Sequence, residues 1–170
     1  MSTGLTKSRA ARRVERRAAD GGVVTEYLGF RVASNNYALP VNLVREIVRA
    51  AHVTPVPRAP SGVLGIASFR GRVVTIIDLG TRLGLTCSIA LPSAGPLRGH
   101  RLRILMVDIG NETLGYLVDE VLMVYRLSNK DIERATHTLG SDAGAHVAGI
   151  ARPAESDEVL LLLDAKALVP

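Results

Sequence analysis

At 170 residues, 47% hydrophobic and 22% charged, the chain has the balance of one ordinary globular domain or two very small ones, not of a disordered protein. The longest uncharged stretch, Leu83 to Leu97, is broken by Gly84, Pro92, Gly95 and Pro96, which excludes a spanning helix there. No apolar run follows the basic N-terminus as in a secretory signal, and the single cysteine, Cys87, excludes an internal disulfide framework. A reducing, cytoplasmic setting is the expectation.

The net charge of +5 is unevenly placed. Lys7, Arg9, Arg12, Arg13, Arg16 and Arg17 face only Glu15 and Asp20 in the first twenty residues. Residues 1–22 therefore read as a solvated, disordered basic arm, with attachment to an acidic lipid, nucleic acid or partner as the functional reading of the same charge. The remainder is nearly neutral and has no Trp, which argues against a body built around a nucleic-acid surface.

From Val23 onward short apolar runs follow one another. Tyr27–Ala33 and Asn36–Leu39 flank Ser34-Asn35 and predict a hairpin. Leu43–Ala50 fits a strand or a helix, and Val63–Phe69 and Val73–Leu79 read as strands around Arg70-Gly71. Further strands are expected at Leu102–Ile109, Thr113–Val118, Val121–Leu127, Val147–Ala151 and Val159–Leu163. Short helical pieces are expected at Leu79–Leu83 and Asp164–Leu168, each opening near a capping aspartate. The Pro/Gly/Ser-rich segment 86–103 is a connector, and Ser128–His146 is a long polar excursion with a helical turn at Lys130–Ala135.

The two halves echo each other. Phe30, Val32, Tyr37, Val41, Val44 and Ile47 recur at one constant offset as Val107, Ile109, Leu114, Val118, Val121 and Val124. VLGIA (Val63–Ala67) returns as VAGIA (Val147–Ala151), and each copy runs on to an aspartate, Asp78 or Asp164. The chain reads as one domain over 23–170 holding two similar β-units, about 27–85 and 104–169. Each is too small to stand on a core of its own, so the two should pack together.

Catalytic signatures are missing. There is neither GxGxxG nor GxxxxGK[ST], so no phosphate cradle is encoded. His52, His100, His137 and His146 lack metal-ligand spacing, and Cys87 has no CxxC partner. Asp119-Glu120 and Asp157-Glu158 are neighbours whose side chains would point to opposite faces of a strand. A small hydrolase using Cys87 is the weakest reading. Neither cofactor nor metal is expected, and the body reads as one built to bind.

The series YLGFRV, YALPVNLVREIV, VTPVP, GVLGIASFRGRVVTIIDL, LGYLVDEVLMV, VAGIA and VLLLLDAKAL resembles the CheW-like family of bacterial chemotaxis coupling proteins. The resemblance covers roughly 27–169 and is most specific over Gly62–Leu79. It implies an all-β fold of two small five-stranded β-barrel subdomains packed together, with short helices including one at the C-terminus. It also implies a non-enzymatic adaptor that couples chemoreceptor cytoplasmic tips to the regulatory domain of a CheA-type histidine kinase. Such a protein is cytoplasmic, recruited to receptor arrays near the inner membrane, without membrane insertion or a nucleic-acid partner. The alternative is a β-barrel module binding nucleic acid or a membrane surface through the basic arm. Two departures stand out: Ser68-Phe69 replaces the family's Asn-Leu before Arg70-Gly71, and Thr75 replaces its Pro.

Carried onto this chain, the resemblance makes Arg70, Glu46, Val44 and Val41 the receptor-binding candidates. Gly65, Val121 and Val124 are the kinase-binding candidates. Each has a plainer reading as well. Glu46 would pair with a basic receptor residue or with Arg70, or else be an exposed charge; Arg70 would be a structural tie, the valines core, and Gly65 a strand bulge or close-packing position. Gly71 suits a turn that needs positive φ.

Overall fold

A computed structural model of the protein describes residues 22–49, 52–85, 101–134, 143–153 and 157–170. The expected arm, most of the connector and part of the polar excursion lie outside these residues. The first hairpin is β1 (Val24–Val32) and β2 (Asn35–Pro40). A 3-10 turn, Val41–Leu43, then leads into β3 (Val44–Arg49). The second hairpin is β4 (Val63–Phe69) and β5 (Arg72–Asp78), followed by the single-turn helix α1 (Leu79–Arg82). The second half repeats this order with β6 (Arg103–Ile109), β7 (Glu112–Val118), β8 (Glu120–Ser128), β9 (Ile132–Arg134), β10 (Val147–Ala151) and β11 (Leu160–Leu163).

One local expectation changes. The segment expected to turn helically at 130–135 makes only the 3-10 turn Asn129–Asp131 before β9 begins. Asp131 accepts from the Ser128 backbone N–H and hydroxyl, both at 2.9 Å, which stops β8 and frees the next residues to pair with β10. The short helix expected at the C-terminus is present as the 3-10 turn Ala165–Leu168. Its capping aspartate is as expected: Asp164 accepts from the Lys166 backbone N–H at 2.9 Å. Asp78 likewise accepts from the Gly80 N–H at 3.0 Å and the Thr81 hydroxyl at 2.8 Å.

The strands form two sheets, ordered β3-β6-β7-β5-β4 and β8-β1-β2-β11-β10-β9. The all-β class and a pair of small β subdomains match the fold that the resemblance implies, with β9 as a sixth strand on one sheet. Neither sheet is built from one half of the chain. The β1–β2 hairpin joins β8–β11, while β6–β7 joins β3–β5. Matched by their place in the repeat, the two orders are the same, and each contains one parallel pair, β5–β7 or β11–β2.

Exchange of the hairpins explains the packing. Alternate residues of β6 enter different cores: Leu105 and Val107 the large shared one, Ile104 and Met106 the interior of the five-stranded unit. In β2, Tyr37 and Leu39 join the shared core, while Ala38 faces the other interior. With both faces buried, these strands read as continuous apolar runs, not alternations. Leu79, Leu83, Ala165 and Leu168 from the short helical turns complete the shared core. Arg82 fastens the first half to the last residues by donating to the Leu168 carbonyl at 3.2 Å and the Ala167 carbonyl at 3.4 Å.

Outside β4, Thr54 makes an isolated two-hydrogen-bond bridge to Ile66, at 2.8 and 2.9 Å. It pairs antiparallel with β4 at the bulge around Gly65, whose φ is +151°. A Cβ on Gly65 would lie 2.1 Å from the Thr54 carbonyl oxygen, so only glycine admits the paired chain. Gly149 stands in the same relation to β9, with the Glu133 carbonyl oxygen 3.0 Å from where a Cβ would be.

Candidate functional site

The site candidates on the five-stranded sheet begin with β3. Its exposure alternates: Val44, Glu46 and Val48 are half-buried, while Arg45, Ile47 and Arg49 are exposed. This follows from the pleat, which sends successive side chains to opposite faces. Glu46 therefore sits between a valine packed on the shared core and one packed on the unit's interior. Across the sheet, β4 and β5 are joined by Arg70-Gly71, with φ +47° and +78°. Two successive positive-φ residues are what a tight two-residue hairpin demands, and the right-handed strand twist favours it.

That turn carries Arg70 to Glu46. The guanidinium Nη2 lies 3.1 Å from Glu46 Oε2, with the arginine side chain 85% exposed and the glutamate 26%. The pair borders a cleft of about 290 Å³ whose apolar wall is Phe69, Val74 and Met106. Arg45, Arg72 and Thr113 complete it. Arg45 Nε donates to Asp108 Oδ2 at 3.0 Å, and the Thr113 hydroxyl donates to Asp108 Oδ1 at 2.6 Å. The Thr113 hydrogen bond first, then Arg45, hold the Asp108 carboxyl below its usual range against the opposing effect of burial.

A second cleft, of about 400 Å³, lies where the two sheets meet. Tyr27, Pro40, Leu43, Ile109 and Ile132 give it an apolar lining, and Asp108, Arg134, Asp164 and Lys166 add charge. The Arg45–Asp108 ion pair contributes one residue to each cleft.

The receptor-binding candidates thus separate into two pairs. Arg70 and Glu46 meet at the cleft, whereas Val41 and Val44 pack half-buried against the shared core. The kinase-binding candidates do not come together. Gly65 lies against the Thr54 bridge on the five-stranded sheet, while Val121 and Val124 are on β8 of the other. Val121 packs on the shared core opposite Phe30, and Val124 is 43% exposed beside Met123 at 50%. Sequence reasoning did not single out Arg45, Arg72, Asp108 or Thr113. The available signal was the Arg-Gly-Arg sequence around the turn and the carboxylate near the end of an apolar run.

Of the two adjacent acidic pairs, Asp119-Glu120 makes structural contacts. Asp119 accepts from the Ala33 backbone N–H at 2.6 Å, and Glu120 accepts from Arg31 at 3.0 Å and Arg101 at 3.2 Å. Among the described residues no group of three or more His, Cys, Asp or Glu is placed to hold a metal ion. Cys87, His100 and His137 lie outside them. No helix of the described residues is long and apolar enough to cross a membrane.

Two small β-units sharing one core, with an arginine-rimmed surface cleft, define an all-β scaffold that presents its chemistry on its surface. Residues 26–170 match the family model of the CheW-like domain. The chain belongs to the CheW-like family, the scaffold and coupling proteins of chemotaxis. It is 32% identical over 149 residues to protein FrzA of Myxococcus xanthus, covering 86% of each chain. It is 33% identical over 117 residues to the chemotaxis protein CheW of Rhizobium meliloti, covering 69% of this chain and 70% of that one. The crystal structure of the scaffolding protein TtCheW from Thermoanaerobacter tengcongensis superposes with a TM-score of 0.72 at 27% identity, over 86% of this chain and 92% of that one. These matches lend no support to a nucleic-acid or membrane-surface module.

Proposed function

We propose that this protein is a non-enzymatic adaptor that couples chemoreceptor cytoplasmic tips to a CheA-type histidine kinase, working in the cytoplasm at receptor arrays. The observation that carries the reading is the Arg70–Glu46 pair beside an apolar-walled cleft. A guanidinium is a planar fork suited to carboxylates on a docking partner, and Glu46 holds this one over the cleft. Arg70 and Glu46 form the polar part of the receptor contact, with Val44 and Val41 supporting β3 from the core side. Kinase contact falls to other surfaces: the exposed part of β8 at Val124, with Val121 behind it, and the bulge at Gly65.

Arg70→Glu tests this directly. The substitution places two carboxylates together at the turn and repels an acidic partner. Truncating one member of a desolvated interfacial charge pair costs about 2–5 kcal/mol, or roughly 30- to several-thousand-fold in affinity. Binding to a soluble receptor-tip fragment should collapse while binding to the kinase regulatory domain and the unfolding midpoint change little. If receptor-tip binding survives, or if both affinities fall together with the midpoint, Arg70 is not the receptor contact.

A further inference from the structure

We propose that Arg72 is a specificity-determining residue that takes a carboxylate from the docked partner at the mouth of the Arg70 cleft. This rests on the reading of that face as the receptor-docking surface. Three guanidinium groups line the cleft, those of Arg45, Arg70 and Arg72. Two have carboxylate partners: Arg70 pairs with Glu46 at 3.1 Å and Arg45 with Asp108 at 3.0 Å. Arg72 makes neither an ion pair nor a side-chain hydrogen bond among the described residues. The charge of Arg72 reaches Asp108, but the Asp108 oxygens already accept from Thr113 and Arg45. Among the described residues, the Arg72 guanidinium is therefore left without a carboxylate in direct contact.

Its position makes that charge selective. Arg72 opens β5 directly opposite Phe69 in the hairpin register, so their side chains leave the same face. Phe69 is half-buried, and Val74 and Met106 are buried beside it in the same wall. A partner side chain entering here displaces water from an apolar wall, which strengthens whatever charge interaction the rim offers. The cleft volume of about 290 Å³ suits one or two side chains, not a helix. The occupant that fits is an Asp or Glu projecting from the docked segment, received by the guanidinium fork of Arg72. A neutral or basic residue at that place leaves Arg72 unpaired or repelled, and the partner is rejected.

The test uses the full chain and a soluble chemoreceptor tip fragment, with affinities read at two salt concentrations. Arg72→Gln should weaken binding by about tenfold and flatten its salt dependence, and Arg72→Glu should weaken it further. The unfolding midpoints should stay near wild type, since the side chain is exposed. Acidic residues of the tip are then changed to Lys one at a time, and one of these should restore binding to the Arg72→Glu protein while weakening the wild type. Loss with Arg70→Glu but unchanged affinity for both Arg72 variants overturns the assignment and leaves the docking face standing. Loss with Arg72→Glu that no single tip substitution rescues also overturns it. Unchanged binding with Arg70→Glu overturns the docking face, and this assignment with it.

Discussion

Arg70 reaches Glu46, at 3.1 Å, from a backbone conformation that arginine seldom takes. Its φ of +47° lies in the left-handed region, where a Cβ crowds the following carbonyl at a cost of roughly 1–2 kcal/mol. Turns with two positive φ values favour Asn-Gly. The ion pair does not repay the strain, because a pair with one partner 85% exposed stabilises by at most about 1 kcal/mol. The strain is local and the side chain is directed outward, a combination expected where a residue is held for contact with a partner.

Replacing Arg70 with Asn separates turn from contact. Asparagine tolerates the left-handed region, so Arg70→Asn should stabilise the fold by about 0.5–1 kcal/mol, a rise of roughly 1–4 °C in midpoint. The same protein should lose receptor-tip binding. A fall in midpoint by several degrees would mean that the Glu46 pair holds the hairpin in place.

At Gly65 the packing of the backbone itself excludes any other residue. A Cβ there would meet the Thr54 carbonyl oxygen at 2.1 Å and its carbon at 2.7 Å. Both are backbone, so no rotamer change relieves the clash. Gly65→Ala should cost roughly 2–4 kcal/mol, through lost Thr54–Ile66 bonding and strain at φ +151°. Gly71→Ala is the control: its Cβ meets nothing within 4 Å, leaving only the backbone penalty of about 1 kcal/mol at φ +78°. Equal losses in denaturant unfolding would remove the steric explanation.

Much of this was legible because it is local. Asp78 and Asp164 announce their turns, the Arg70-Gly71 pair announces its hairpin, and period-two alternation puts Glu46 between Val44 and Val48. The exchange of hairpins was not legible. Since β1 and β6 occupy equivalent places in the repeat, either could lie beside β3 with the same apolar register. β9 escaped notice because Ile132 is its only apolar residue. Arg72 and Asp108 were passed over for a related reason: charges at strand ends look like solvated termini until the neighbouring strands are in place.

Tyr116 is fully buried in the shared core, and its hydroxyl has no hydrogen-bond partner among the described residues. An unsatisfied buried hydroxyl costs about 1–3 kcal/mol, and phenylalanine keeps the ring without it. Tyr116→Phe should therefore raise the unfolding midpoint by roughly 2–4 °C for each kcal/mol gained. Burial, slightly opposed by the charge of Arg82, pushes the Tyr116 hydroxyl well above its ordinary 10.0. The folded state thus keeps Tyr116 protonated where the unfolded chain ionises, and stability falls as pH rises past that value. The Phe variant should lack this part of the alkaline decline. A lowered midpoint would mean that the hydroxyl has a partner.

Asp108 gives a test at the acid end. Thr113 and Arg45 hold its carboxyl below the ordinary 3.8, so the folded state favours the ionised form more than the unfolded chain does. For a depressed carboxylate the stabilisation is complete above the unfolded value and disappears as pH falls through the folded one. Asp108→Asn removes the charge at every pH, although its amide oxygen still accepts from Thr113. Wild type should therefore exceed Asp108→Asn by a constant margin between about pH 5 and 8. That margin should shrink steadily below about pH 4 as the wild-type carboxyl takes up its proton. Every other titrating group is common to the two proteins, so the difference between their midpoints isolates this one. High salt should narrow the plateau, because the Arg45 pair is exposed at 46% and 39% and its Coulomb part is screened. The Thr113 hydrogen bond would survive screening. A margin that persists undiminished to about pH 2 would show that the aspartate acts through its shape and hydrogen bonds alone, not through its charge.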